Sequence, residues 1–136
     1  MQDKEYNGYL FSANRERLAI DRIAELLGQS YWAQGRSRET IVRSINHSLC
    51  FAIYKDGYQI GFARVVTDYA TMFWLSDVFI DKNFRGQGLG KKLVEYVLSA
   101  TPLKELNGIL GTKDAHGLYE QYGFQRDPER LMRRRV

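Results

Sequence analysis

The chain has 136 residues, of which 44% are hydrophobic and 26% are charged, a balance typical of one soluble globular domain over residues 1–136. No apolar run reaches the roughly 20 residues that a membrane-spanning helix needs. The first residues also lack the apolar core of a secretion signal, so we expect a cytoplasmic protein with no membrane partner. The net charge of +4 fits a polyanionic small ligand as well as a nucleic acid, and the single cysteine, Cys50, excludes a disulfide framework.

The first part of the chain predicts one strand followed by two helices. Residues 9–11 form a short apolar run typical of a strand. Asn14 offers an N-cap for a helix over residues 15–27, because apolar residues recur there at helical spacing, and Gly28 ends that pattern. After a loop with two aromatic residues, Ser37 can cap the second helix.

From residue 49 the pattern changes to strands. Residues 49–55 and 58–68 flank the turn Asp56-Gly57 and predict a β-hairpin, and residues 71–81 predict a third strand. The remaining elements are a helix over residues 89–99, a short strand over 107–112, a short helix over 114–122 that Asp114 can cap, and a final extended segment. The order β-α-α-β-β-β-α-β-α-β predicts a single mixed α/β layer structure.

A turn rich in glycine joins the third strand to the third helix, in FIDKNFRGQGLGKKLVEYVL. Glycines at 86, 88 and 90 leave the backbone amides of this turn almost without steric cover. The first turn of a helix leaves amide donors unpaired at its positive dipole end, so this junction suits a phosphate group. A P-loop does not fit, because Lys92 stands where a hydroxyl residue is required, and the spacing G-x-G-x-G is not a dinucleotide fingerprint.

Two segments identify a family. RGQGLG fits the pattern [R/Q]-x-x-G-x-[G/A] at a strand-to-helix junction, and LYEQYGF follows about thirty residues later. Together with the order of strands and helices over nearly the whole chain, they resemble the GNAT acetyltransferase superfamily. The resemblance implies a GNAT-like α/β fold with a mostly antiparallel central sheet, a splayed parallel pair and about four flanking helices.

The resemblance also implies an acetyl-CoA-dependent N-acetyltransferase, an acyltransferase with acetyl-CoA as cosubstrate. No cluster of residues has metal-ligand spacing, so we predict no metal. Backbone amides at Val78, Phe79 and Ile80 would bind the pantetheine and the thioester carbonyl. Thr112 stands where many members carry asparagine, so a pantetheine contact there is weaker or is supplied by another group. The amides that would surround the pyrophosphate belong to Gly86, Gln87, Gly88, Leu89, Gly90 and Lys91, and Arg85 is a further cofactor-binding candidate.

The catalytic residues are also placed by the resemblance. Tyr119, in LYEQYGF, maps onto the tyrosine that protonates the leaving thiolate. Asp77 lies where related enzymes often carry an acid and is our candidate for the general base. Asp68, at the end of the preceding strand, is the second candidate.

The acceptor pocket of the family lies at the loop between the first two helices. This predicts substrate contacts for Tyr31, Trp32 and Arg36 in SYWAQGRS, and we include Arg64 and Asp68 from the neighbouring strand. A strand arginine that faces a cleft favours an anion, so we expect a small amine that also carries an anionic group such as a carboxylate.

Other functions stay open at this point. A protein or peptide acetyltransferase would need an open groove instead of a closed pocket. A CoA-sensing or nucleic-acid-binding module without turnover is a third possibility, although the arginines of the terminal RLMRRRV lack the interleaved aromatics of a nucleic-acid site. The sequence identifies neither the amine nor whether two copies form a homodimer.

Overall fold

A computed structural model of the chain describes residues 1–136 and contains one six-stranded sheet with four α-helices. The strands are β1 Lys4–Tyr6, β2 Tyr9–Ser12, β3 Leu49–Lys55, β4 Tyr58–Thr67, β5 Met72–Ile80 and β6 Asn107–Leu110. The helices are α1 Ile20–Gly28, α2 Arg38–Asn46, α3 Leu89–Leu98 and α4 His116–Glu120. The strands follow one another across the sheet and pair antiparallel, except for the parallel pair β5–β6. This confirms the predicted mixed α/β sheet. None of the helices combines the length and the apolar character that a bilayer crossing requires.

The sheet lies between two helical layers. Residues of α3 and α4 pack on one face, and residues of α1 and α2 pack on the other. In the central strand β3, Phe51 and Ile53 belong to the core beside α3, whereas Cys50 belongs to the core beside α1 and α2. Because both faces of β3 are covered, its sequence is a continuous apolar run without polar alternation.

Two pairs of strands in the sheet are joined by tight hairpin turns. Asp56-Gly57 joins β3 to β4 with φ angles of 50° and 80°, as the sequence predicts. Asn7-Gly8 joins β1 to β2 with φ angles of 49° and 82°. Positive φ at both central residues is the geometry of a type I′ turn, which Asn-Gly favours strongly. Strand β1 was not predicted, although this dipeptide is the sequence signal that could have revealed it.

The predicted start and end of the first helix are wrong. Asn14 does cap, since its side chain accepts a hydrogen bond from the amide of Glu16, but it caps only the 3-10 turn Arg15–Arg17. Helix α1 begins at Ile20, and the amide just before it, that of Ala19, donates to the side chain of Gln59 in β4. Gly28 lies inside the last turn of α1 and not beyond it.

The end of the chain also differs from the prediction. Asp114 does not cap α4; instead, the hydroxyl of Thr112 accepts a hydrogen bond from the amide of Ala115. The final segment pairs with no strand, so β6 is the edge of the sheet. By contrast, Ser37 caps α2 as predicted, because its hydroxyl accepts from the amide of Thr40.

Strand β5 contains a bulge at Asp77. Beyond the bulge, the alternation of β5 side chains between the two faces of the sheet is shifted by one residue. Ser76 pairs with Arg64 and Phe79 with Phe62, so two residues of β5 oppose one residue of β4. Asp77 has a φ of 53°, in the left-handed region that Asp tolerates better than most residues. The bulge turns the carboxylate of Asp77 toward the α1–α2 side of the sheet. The pairing of β5 with β6 ends two residues earlier, at Leu75.

Candidate active site

The turn between β5 and α3 presents a row of free backbone amides. Gly86 and Gly88 have φ angles of 82° and 76°, which residues with a Cβ rarely adopt. No amide from Gly86 to Lys91 donates to an acceptor within the chain. A Cβ on Gly88 would meet no atom within 4 Å, so this surface is open. The free amides and the dipole of α3 together have the geometry and charge that suit an anion.

Contacts at both ends hold this turn in place. Asp81 accepts a hydrogen bond of 3.0 Å from the amide of Asn83 and forms an ion pair with Arg22 of α1. At the other end, the hydroxyl of Tyr9 donates to Oε1 of Gln87 at 2.9 Å. These supporting residues were missed from the sequence because they lie up to 78 positions from their partners.

The end of β5 is open on the side that faces β6. The amide of Asp81 donates to the carbonyl oxygen of Ile60 in β4 at 2.8 Å. Because amides alternate along a strand, those of Ile80 and Val78 point to the opposite, open edge. The amide of Phe79 points toward β4 instead, so the expected pantetheine contact at this residue lacks geometric support.

The side chains of Phe79 and Arg85 pack on each other near this end of β5. The guanidinium carbon of Arg85 lies 4.9 Å from the ring centroid of Phe79, and its Nε donates to the carbonyl oxygen of Ile80 at 3.1 Å. On its other side, the ring of Phe79 meets Trp32, with 6.0 Å between the ring centroids. Arg85 therefore fixes the entrance of the glycine turn against the strand.

Asp77 is the centre of a buried polar cluster, and its side chain is only 1% exposed. Its Oδ1 accepts from the indole nitrogen of Trp32 at 2.9 Å. Its Oδ2 accepts from Nη1 of Arg36 at 2.7 Å and from Nε of Arg64 at 2.8 Å. Burial raises the pKa of Asp77, but the hydrogen bonds and charges of Arg64 and Arg36 outweigh it and hold the pKa below its usual value. A fully bonded carboxylate of low pKa is poorly suited to act as a general base.

The two arginines of this cluster differ in how many donors they use. Arg64, 14% exposed, also donates from Nη1 to Ser48 at 3.1 Å and from Nη2 to Ser76 at 3.3 Å. The side chain of Arg36, 22% exposed, makes no hydrogen bond other than the one to Asp77. Both predicted arginines therefore meet at Asp77, but only Arg36 keeps most of its donors free.

The loop between α1 and α2 reaches across the gap between β5 and β6. Trp32 anchors it to Asp77, and the neighbouring Tyr31 packs edge-on against Trp32 at 5.0 Å. The hydroxyl of Tyr31 accepts a hydrogen bond from the amide of Lys113, in the loop that follows β6, at 3.2 Å. The predicted aromatic residues thus cover one side of the gap, and Lys113 is a partner that the sequence did not indicate.

Tyr119 lies in α4 with its ring packed edge-on against Phe124. Its side chain is buried, and its hydroxyl makes no hydrogen bond within the chain. Burial raises the pKa of Tyr119 to about 12, with smaller contributions from the charges of Asp114 and Tyr31. The phenol therefore stays protonated at neutral pH and can serve as a hydrogen-bond or proton donor. Thr112 lines the same cavity, but its hydroxyl already accepts a hydrogen bond from the amide of Ala115, just before α4.

Asp68 is not brought together with these residues. It lies in the turn between β4 and β5, where it accepts hydrogen bonds from Thr71, Ala70 and Met72 that hold its pKa well below the usual range. The turn that contains Asp68 lies at the start of β5, whereas Phe79 lies near the end of that strand. The two are about six residues apart along β5, or about 20 Å. We therefore leave Asp68 out of the proposed site, both as a base and as a substrate contact.

A separate cavity of about 970 Å³ lies between β6, α4 and the C-terminal segment. It includes Thr112 and Tyr119 but no residue of the glycine turn. No group of three or more His, Cys, Asp or Glu side chains is arranged to hold a metal ion.

Comparison with known proteins decides the family. Residues 46–126 match the acetyltransferase (GNAT) domain. The chain belongs to the GNAT acetyltransferase family. A crystal structure of a GNAT-family protein from Xanthomonas campestris pv. campestris is 41% identical, with a TM-score of 0.88 over 94% of this chain and 93% of that one. The predicted family and fold are thereby confirmed, and so is the acyltransferase class of enzyme at the level of the family.

Two curated relatives of this GNAT chain carry names that mention an acceptor. The histone acetyltransferase TAP1 of Glycine max is 35% identical over 119 residues, 83% of this chain and 47% of that protein. The peptidyl-lysine N-acetyltransferase YjaB of Salmonella typhimurium is 28% identical over 111 residues, 80% of this chain and 71% of that protein. The chain spans less than half the length of the three plant relatives that it matches, at 28%, 47% and 44%.

Proposed function

We propose that the protein is an acetyl-CoA-dependent N-acetyltransferase that acts on a primary amine of a small molecule by direct attack in a ternary complex. The observation that carries the proposal is the row of free amides from Gly86 to Lys91 beside the open edge of β5. The proposed activity requires a compartment that contains acetyl-CoA, and we propose that the protein acts in the cytoplasm.

The free amides suit the pyrophosphate of CoA. Each contact between an anion and a helix dipole contributes about 0.3–1 kcal/mol when it is exposed, so several amides must act together. From this turn, the pantetheine would follow the open edge of β5, where the amides of Ile80 and Val78 point outward. The Val78 amide can then donate to the thioester carbonyl oxygen, whose negative charge grows during attack.

Acetyl-CoA supplies the acetyl group as an activated thioester, and the residues of the chain direct the transfer. The neutral amine attacks the carbonyl carbon, the carbon–sulfur bond breaks, and the amine proton leaves to water. Tyr119 would give its phenolic proton to the departing sulfur and recover a proton from solvent. Burial raises the pKa of Tyr119 to about 12, so the phenol keeps its proton until the thiolate develops.

Asp77 has a different role in this proposal from that of the predicted base. Its carboxylate holds Trp32, Arg36 and Arg64 together, so it positions the acceptor side of the site. Amines that are partly neutral at working pH can lose their proton to water without a protein base.

The loop that carries Tyr31 and Trp32 supports a small acceptor. Its contacts with Asp77 and with Lys113 narrow the acceptor side, whereas a peptide would need an open groove. A protein or peptide acetyltransferase is the second candidate, because two relatives are named as histone and peptidyl-lysine acetyltransferases. A row across three strands also favours it, in which the half-buried Trp74 lies between the exposed Val66 and Ile109, since an extended chain could lie there.

The test is a thiol-release assay with acetyl-CoA and four acceptor classes, namely amino acids, polyamines, aminoglycosides and lysine peptides. The proposal expects at least one small amine to release thiol well above the hydrolysis background. A lysine peptide that exceeds every small amine by tenfold in kcat/KM would replace the proposal with the second candidate. Absence of thiol release with all classes would reject both.

A further inference from the structure

The acceptor side of the site carries an unbalanced positive charge. Asp77 is the only carboxylate within 4 Å of the guanidinium groups of Arg36 and Arg64. One negative charge thus faces two positive charges, in a place where all three side chains are largely shielded from water. Charges in such surroundings are screened weakly, so the excess positive charge favours an anion from outside the chain.

The hydrogen bonds indicate which arginine would meet that anion. A guanidinium has five N–H donors. Arg64 uses its donors on three side chains, those of Asp77, Ser48 and Ser76, from all three of its nitrogens. The guanidinium of Arg36 gives a single hydrogen bond, from Nη1 to Asp77, and its Nε and Nη2 have no acceptor in the chain. Arg36 is therefore held in place and still has donors for a second carboxylate, which a guanidinium can bind with two parallel bonds.

The position of Arg36 relates it to the reacting centre. Its partner Asp77 directly precedes Val78, whose amide points to the open edge of β5. A small molecule whose carboxylate is held by Arg36 could then extend its amine toward a thioester at this edge.

We infer that the acceptor is an amino-carboxylate, with its carboxylate bound by Arg36 and its amine presented to the thioester. This inference rests on the proposed N-acetyltransferase function and names its substrate class. The same positive charge lowers the pKa of a nearby ammonium group, which increases the fraction of neutral amine. It also disfavours polycationic acceptors such as polyamines and lysine-rich peptides.

The experiment compares acids with their uncharged relatives. Thiol release is measured for phenylalanine, phenylalaninamide and phenethylamine, and for leucine, leucinamide and isoamylamine, with spermidine as a polycation. The proteins are the wild type, Arg36→Gln and Arg36→Lys, with Arg38→Gln as the matched control, because Arg38 is exposed and pairs only with Asp21. The wild type should prefer the acid over its amide at least tenfold in kcat/KM.

Arg36→Gln should lower this ratio by about 10- to 100-fold, the range for hydrogen bonds to a charged group, and Arg36→Lys should lower it less. Arg38→Gln should leave the ratio unchanged. Faster turnover of amides, plain amines or spermidine by the wild type would overturn the inference while the proposed function stands, and so would an unchanged ratio in folded Arg36→Gln. If Arg36→Gln does not fold, the inference is tested by the acid-to-amide ratios of kcat/KM for the wild type and Arg36→Lys. Absence of turnover with every amine rejects the proposed function, and this inference with it.

Discussion

Replacement of Asp77 by asparagine would remove one charge from the buried cluster and keep the shape of the side chain. Asparagine also tolerates the φ of 53° at this position. Arg36 and Arg64 would then face each other without a counter-charge, and the amide could accept from fewer of the three donors that now reach the carboxylate. Loss of one partner from a buried ion pair destabilises a protein by about 3–5 kcal/mol. With about 2.1 cal/mol/K of unfolding entropy per residue, this corresponds to a fall in Tm of roughly 10–17 °C.

Urea denaturation of Asp77→Asn and wild type at pH 7 measures this loss. The matched control is Asp21→Asn, whose ion pair with Arg38 is mostly exposed at 83% and 62%. Exposed pairs contribute little, so the control should stay within about 0.5 kcal/mol of the wild type. A loss of less than about 1 kcal/mol in Asp77→Asn would refute the view that this carboxylate balances two buried arginines.

The pH dependence of stability is a second test of the prediction for Asp77→Asn. The pKa of Asp77 is lower in the folded protein than in the unfolded chain, so its contribution to stability is present above the unfolded pKa of about 3.9. That contribution is lost as the pH falls through the folded pKa. The stability difference between wild type and Asp77→Asn should therefore be constant from pH 5 to 7 and shrink below about pH 4. A difference that grows with acid would contradict the assignment.

Two further predictions concern packing and catalysis. Gly108→Ala should destabilise the fold by about 1–3 kcal/mol in urea, because its Cβ would overlap the buried ring of Phe73, whereas Gly117→Ala, with no atom nearby, should be neutral or slightly stabilising. Tyr119→Phe should lower kcat by about 10²–10⁴-fold with little change in CoA affinity, and Tyr122→Phe, which loses hydrogen bonds to Glu95 and to the carbonyl oxygen of Lys91, should keep its kcat. Gly108→Ala of unchanged stability, or Tyr119→Phe with kcat within threefold of wild type, would contradict these two assignments.

The parts of the fold that depend on neighbouring residues were predictable from the sequence. Ser37 caps α2 through an amide three residues away, and Asp56-Gly57 forms its turn from its own preferred φ angles. The glycine turn was predictable for the same reason, since its free amides follow from the start of a helix and from the local glycines.

The features that were missed depend on partners far along the chain. The start of α1 is fixed by a hydrogen bond between Ala19 and Gln59, which are 40 positions apart. The sequence identified Asp77, Arg36 and Trp32 as site residues, but not that they bond to one another across 41 and 45 positions. A carboxylate that sequence analysis takes for a base thus becomes a counter-charge once the bulge turns it toward two arginines.

The central claim is that the amides from Gly86 to Lys91 bind the pyrophosphate of acetyl-CoA. Calorimetric titration of CoA into the wild type, Gly88→Glu and the control Gly28→Glu tests it most directly. At Gly88, glutamate adds a negative charge at the anion site and strain of about 1–2 kcal/mol from a φ of 76°, whereas Gly28 is an exposed helical residue. We expect the Kd of Gly88→Glu to rise more than tenfold with a native circular dichroism spectrum, and that of Gly28→Glu to match wild type. Equal affinity in folded Gly88→Glu, or no binding of CoA by the wild type, would contradict the claim.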